Sequence, residues 1–186
     1  LYMNGYNDPR RAAYFTKSEW AGHEYVGLRH GIVIPDHATV GHKYSGIKID
    51  QFETPLVLMT PAESAFLKAE AVAVFGWDMG GSAQSFYEEG IRLSFDQWAV
   101  SGADAYMSDV ISVPGTYTDP AGTNSYNNPL TTLAVAWDEG ASVEAKQERI
   151  MIQKWIANFP LGNESWADIR RTGYPNILPC EDAANN

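Results

Sequence analysis

The sequence predicts a mainly α-helical fold in which a helical hairpin and further helices alternate with long loops. Three observations predict it: two amphipathic stretches divided by glycines over 60–96, a third helical stretch from 142, and loops rich in Pro, Gly and Asn over 1–50 and 112–129.

Residues 1–50 read as a loop-rich entry. Asn7-Asp8-Pro9 is a turn signal, followed by Arg10, Arg11, Tyr14 and Phe15. Gly31 to Pro35 is expected to form a short strand ended by its proline. All 4 histidines, His23, His30, His37 and His42, fall here. No pair shares an i, i+4 register on a helix and no cysteine is near, so no metal is expected.

The hairpin follows. Thr60 stands where an N-cap belongs, Pro61 takes the first helical position and Glu63 completes a capping box. The first helix is expected to run to Phe75, with Gly76 as its left-handed C-cap. Ala62, Ala65, Phe66, Ala69 and Ala73 mark one apolar side, and Leu67, Ala71 and Val74 the other. A helix apolar on two sides is expected to lie between other elements. Ser82 caps the second helix, whose stripe is Ala83, Phe86, Tyr87, Gly90, Ile91 and Ser94. Small residues at 71, 83 and 90 with Tyr87 between the last two follow the tetratricopeptide (TPR) pattern, in which small side chains let antiparallel helices approach closely. The pattern occurs once, whereas a free-standing array needs about three repeats, so an ordinary helical hairpin remains the competing description.

A short helix carrying Tyr106 and Met107 is expected within 102–110. Residues 112–129, SVPGTYTDPAGTNSYNNP, then form a long loop. Tyr117 and Tyr126, flanked by Asn124, Asn127 and Asn128, suit a neutral polyhydroxylated ligand: rings stack on apolar sugar faces while amides bond hydroxyls. A structural Ω-loop pinned by its own tyrosines is the alternative. Ser142 caps the third long helix, with Ala145, Ile152, Ile156 and Phe159 in register. Asn163 is expected to cap a final helix through Trp166, Arg170 and Arg171, ended by Gly173 and Pro175. Lys154, Trp155, Trp166 and the two arginines are expected to lock the last two helices onto the hairpin, and the tail from Asn176 to fray.

Composition narrows the function. The chain has 186 residues, 13 Lys+Arg and 23 Asp+Glu, for a net charge of −10. That balance argues against electrostatic binding to nucleic acid or anionic lipid. No apolar run is long enough to span a bilayer, and Leu1 is not an initiator Met, as expected of a mature or trimmed piece of something longer. Aromatic residues make 12% of the chain, many in Gly/Asn/Pro-rich segments where no helical stripe needs them. Trp20, Tyr117 and Tyr126 are therefore expected to offer exposed rings to a ligand, with Asn124 and Asn127 beside them. Trp137, Trp155 and Trp166 are expected in the core.

Three stretches together resemble one family: NDPRRAAYF (7–15), PAESAFLKAEAVAVFGWDMGGSAQSFYEEGI (61–91) and QKWIANFPLGNESWADIRRTGYP (153–175). The chain resembles the C-terminal portion of a SusD/RagB-type protein, a nutrient-binding lipoprotein of the Gram-negative outer membrane. The resemblance implies a SusD-like fold of TPR-like helix pairs with long loops over the whole of 1–186. It implies a surface-exposed protein that binds an oligosaccharide or other nutrient, transforms nothing, uses no cofactor and delivers ligand to a SusC-type TonB-dependent transporter. It also implies a membrane attachment only through a lipid anchor absent from this chain. Two other functions compete. A glycoside hydrolase needs two carboxylates facing one sugar bond, and the pairs Glu88/Glu89 and Glu164/Asp168 are expected on exposed helical faces. A TPR-like protein–protein adapter needs more repeats than one.

Overall fold

The structure is a computed structural model, and it describes residues 1–32, 34, 36–48, 56–122 and 124–181. Seven α-helices occur among them: α1 (Tyr2–Gly5), α2 (Arg11–Tyr14), α3 (Pro61–Phe75), α4 (Ala83–Gln97), α5 (Ala103–Met107), α6 (Val143–Ala157) and α7 (Gly162–Thr172). Strand-like pairing among the described residues is confined to two antiparallel bridges, Phe15 with Ile47 and Tyr117 with Tyr126. The strand expected over 31–35 includes Val33 and Pro35, which lie outside the described residues.

The hairpin of α3 and α4 forms where its caps predict. The Thr60 hydroxyl accepts from the Glu63 N–H, the Ser82 hydroxyl accepts from the Ser85 N–H, and Gly76 takes φ +68°. That left-handed turn returns the Gly76 and Trp77 N–H groups to the Val72 and Ala71 carbonyls, closing α3 without leaving those acceptors bare. The predicted stripe of α4 is buried throughout, and Tyr87 donates its hydroxyl to the Val135 carbonyl at 2.6 Å. Close approach is real at Gly90: a Cβ there would meet the Phe66 ring at 2.7–2.8 Å. Fully burying a side chain such as Phe66 or Ile91 contributes about 1.5–3 kcal/mol, so this seam is a principal source of cohesion.

Helix α6 runs through the centre, packed on both α3 and α4. The Ser142 hydroxyl caps it at the Ala145 N–H as predicted, but its buried set is broader than one stripe. Arg149 to Lys154 are all buried, together with Ile156 and Ala157. The polar members are accommodated by partners. Gln153 bonds Arg10 and Tyr106, and Lys154 meets Asp168 at 2.6 Å and Glu63 at 3.6 Å. The entry segment supplies the other half of this interior. Arg10 is buried, doubly bonded to Asp8, bonded to Ser94 at 2.8 Å, and stacked 4.7 Å from the Phe95 centroid. Buried charges persist only when paired and hydrogen-bonded, and Arg10 meets both conditions across α4 and α6.

Five expectations need correction. Leu67 is 40% exposed, so the second apolar side of α3 is open there rather than sandwiched. Trp166 is 56% exposed rather than in the core, because α7 turns its charged side, not its indole, toward α3. Asn163 lies inside the first turn of α7, whose N-cap is Leu161 without a side-chain bond. The cations of α6 and α7 do lock these helices to α3, but through carboxylates: Arg171 forks onto Glu70 at 2.6 and 2.8 Å. Finally, residues 176–181 are tied down. The Tyr2 hydroxyl donates to the Asn176 carbonyl, and the Asn176 amide donates to the Leu130 carbonyl.

Candidate functional site

Loop 112–129 is closed by its two tyrosines. The Tyr117 N–H donates to the Tyr126 carbonyl at 2.9 Å and the Tyr126 N–H returns to Tyr117 at 2.8 Å. The turn between them is built on Asp119. Its Oδ1 accepts from the Tyr44 hydroxyl at 2.8 Å and the Ala121 N–H at 3.1 Å; its Oδ2 accepts from the Asn124 N–H and side-chain amide at 3.1 and 2.8 Å. Gly122, at φ +90°, supplies the left-handed bend this turn requires. Burial alone would raise the Asp119 carboxyl, but the bonds from Tyr44, Asn124 and the backbone outweigh it and hold it below its usual range. Burial, with Asp119 nearby, pushes the Tyr117 phenol up to about 12, so it stays a protonated donor at neutral pH.

The rings singled out in the sequence do converge. Val26, Tyr44 and Tyr117 form a buried cluster against which Trp20 and Tyr126 pack. The Trp20 indole meets Tyr44 edge-on at 5.8 Å, and the Lys43 ammonium lies 5.1 Å from the Trp20 ring centroid. Asn127 and Asn128 are exposed beside Tyr126. Tyr117 departs from expectation: it is only 7% exposed, and its hydroxyl is spent on the Gly27 carbonyl at 2.9 Å. It pins the loop rather than offering an exposed ring. Asn124 likewise gives its amide to Asp119. The surfaces left for a ligand are the half-buried Trp20 and Tyr126 and the exposed Asn127. Tyr44, Asp119 and Arg29 were not singled out from sequence. The Asp119-Pro120 turn followed by Asn124 is a local signal for Asp119, whereas nothing local marks Tyr44 or Arg29, whose partners are distant in sequence.

A second candidate groove lies elsewhere. It has a volume of about 460 Å³ between α3 and α7. Leu67, Phe75, Trp77 and Met79 form one wall, and the paired Glu63, Glu70, Lys154, Asp168 and Arg171 form the floor. Trp77, 63% exposed, lies 5.5 Å from Phe75. The expectation that Asp168 is exposed is thereby corrected: it is buried between Lys154 and Arg171. Among the described residues no cluster of three or more His, Cys, Asp or Glu could hold a metal ion, and no helix is long and apolar enough to cross a membrane.

A family model described as SusD-like, SusD and RagB outer membrane lipoprotein, matches residues 1–186. Among solved structures, the chain is similar to a SusD homologue from Bacteroides uniformis ATCC 8492, with 55% identity, a TM-score of 0.94 and coverage of 99% of this chain and 38% of that one. A SusD homologue from Bacteroides thetaiotaomicron VPI-5482 is 46% identical at a TM-score of 0.88, covering 96% of this chain and 37% of that one. A chitin-binding SusD homologue from Flavobacterium johnsoniae is 44% identical at a TM-score of 0.87, over 97% and 37% of the two chains. No curated protein matches. The chain thus spans under two-fifths of the length of these solved relatives, and the helical, TPR-like fold expected from the hairpin is the fold it shares with them.

Proposed function

The chain belongs to the SusD-like family, and from that premise we propose that it is the C-terminal portion of a surface-exposed glycan-binding lipoprotein of the outer membrane. The ligand is a neutral oligosaccharide, bound without chemical change and passed to a SusC-type TonB-dependent transporter. One observation carries the ligand side of this proposal: Trp20 and Tyr126, far apart in sequence, pack on one cluster with Asn127 exposed at its edge. Half-buried rings held from beneath lose little freedom when a sugar stacks on them, and a nearby amide supplies the directional bond. The chitin-binding homologue supports a glycan as ligand. The family description supports an outer-membrane lipoprotein.

The use of four buried carboxylates supports binding rather than hydrolysis. Asp168, Glu63 and Glu70 are committed to Lys154 and Arg171, and Asp119 is saturated by donors. A glycosidase instead keeps one carboxyl protonated as acid and a second ionised, to attack the anomeric carbon or to activate a water that does. The exposed Phe75–Trp77 wall favours a second reading, in which the sugar lies in the α3–α7 groove. A glycan array on the full-length protein, followed by titration of the strongest hit into Tyr126→Ala, Asn127→Ala and Trp77→Ala, separates the two. Weaker binding in the first two variants supports the loop cluster. Loss confined to Trp77→Ala moves the ligand to the groove, and shortened oligosaccharide at the end of the titration would sink the binding-only proposal.

A further inference from the structure

The loop carrying Tyr117 and Tyr126 is held from outside by one guanidinium. Arg29 is buried, and its nitrogens serve two segments at once. Nε and Nη2 donate to the Pro179 carbonyl at 3.2 and 3.1 Å, while Nη1 donates to the Asn124 carbonyl at 2.9 Å and the Ser125 carbonyl at 3.5 Å. The Glu181 carboxylate pairs with it, and the Tyr126 ring centroid lies 5.4 Å from its Cζ. The same tail is fastened independently. The Glu181 N–H donates to the His30 carbonyl at 3.2 Å, Asn176 is bonded through its side-chain amide and its backbone carbonyl, and Leu178 packs on the Val26–Tyr44–Tyr117 cluster.

We propose that residues 176–181 are a strap across the ligand loop and that Arg29 is its clasp, a positioning residue that fixes the loop in its binding-competent shape. This rests on the loop cluster being the glycan site. The chemistry is specific to arginine. Irregular backbone carbonyls need donors, and a planar fork of five N–H groups satisfies three of them in two directions while its face lies on a ring. Lysine keeps the charge but offers a single nitrogen, which cannot span the Pro179 and Asn124 carbonyls together. Without the fork, the loop loses its ties to residues 176–181 and is left to the Tyr44–Asp119 and Tyr117–Gly27 bonds beneath it, which moves it toward the low-stability end of the structure.

Hydrogen exchange on the full-length protein tests this, with Arg29→Lys and a chain ended at Leu178, which keeps the Leu178 contact but removes Pro179 and Glu181. The Tyr117 and Tyr126 amides should exchange at least about tenfold faster in both variants, with α3 and α4 unchanged. A neutral oligosaccharide from the array hit series should bind correspondingly more weakly. Unchanged loop exchange in both variants overturns the strap, as does an equal acceleration in α3 and α4, which would make Arg29 a general structural residue. Faster loop exchange with undiminished oligosaccharide affinity upholds the strap and places the failure in the assignment of the glycan site.

Discussion

Replacing Gly90 by alanine probes the seam on which the hairpin depends. Mid-helix Gly→Ala ordinarily stabilises by about 0.5–1 kcal/mol, because alanine has less backbone freedom to lose. At Gly90 the added methyl would stand 2.7 Å from the Phe66 ring, roughly 0.8 Å inside the ~3.5 Å at which carbon contacts become favourable. Phe66 has no room to retreat, being fully buried with Tyr87 edge-on at 6.1 Å. Overpacking of this kind costs about 1–3 kcal/mol, so Gly90→Ala should destabilise by about 0–2.5 kcal/mol net, against a gain at an open site. Equilibrium denaturation of the intact protein gives the difference. A double-mutant cycle with Phe66→Leu isolates its cause: the smaller side chain should relieve the clash, giving a favourable coupling of about 0.5–2 kcal/mol. A stabilised Gly90→Ala variant with additive energies would refute the close-packing argument.

Three other outcomes are expected. Lys154→Met should cost about 3–5 kcal/mol, since it takes the cation from the buried carboxylate of Glu63 and leaves Asp168 to Arg171, and thermal unfolding measures it. Asp119 has its folded pKa depressed below 3.8, so its contribution is fully present above that value and is lost as pH falls through the lower folded value; exchange of the Tyr117 and Tyr126 amides should rise below about pH 3.8, and Asp119→Asn should show the same faster exchange at pH 7. Affinity for a neutral oligosaccharide should be nearly independent of salt between low and physiological ionic strength, despite the net charge of −10, and a steep salt dependence would indicate a charged ligand instead.

The legible parts of this fold were the local ones. Thr60, Ser82, Ser142, Gly76 and Gly173 each act within a few residues of themselves, and each ends or begins a helix as its chemistry dictates. Periodicity likewise identified the buried face of α4. What the sequence concealed depends on distant partners. The Arg10 guanidinium is neutralised next door by Asp8 but positioned by Ser94 and Gln153, which only the folded chain brings near. Tyr117 resembles a loop ring free for a ligand until Gly27, 90 residues away, claims its hydroxyl. Trp166 was expected inside because it sits within a helix; the ion pairs of Lys154 and Arg171 decide instead which side of α7 faces α3. At the candidate site, the residue types were readable and their convergence was not, since Trp20 joins the tyrosine loop through the buried cluster that holds Tyr44, 24 residues on, and Tyr117, 97 residues on.

The most direct test of glycan binding at the loop cluster is calorimetric titration of one soluble neutral oligosaccharide into the full-length wild type, Trp20→Ala and Trp77→Ala, with mass spectrometry of the sugar afterwards. A wild-type affinity in the micromolar to millimolar range is expected, about −8 to −4 kcal/mol. Trp20→Ala should weaken it by roughly fivefold, the equivalent of about 1 kcal/mol of stacking, while Trp77→Ala binds as wild type and the oligosaccharide is recovered intact. Wild-type affinity in Trp20→Ala together with loss in Trp77→Ala, or recovery of a cleaved sugar, would contradict binding without cleavage at this cluster.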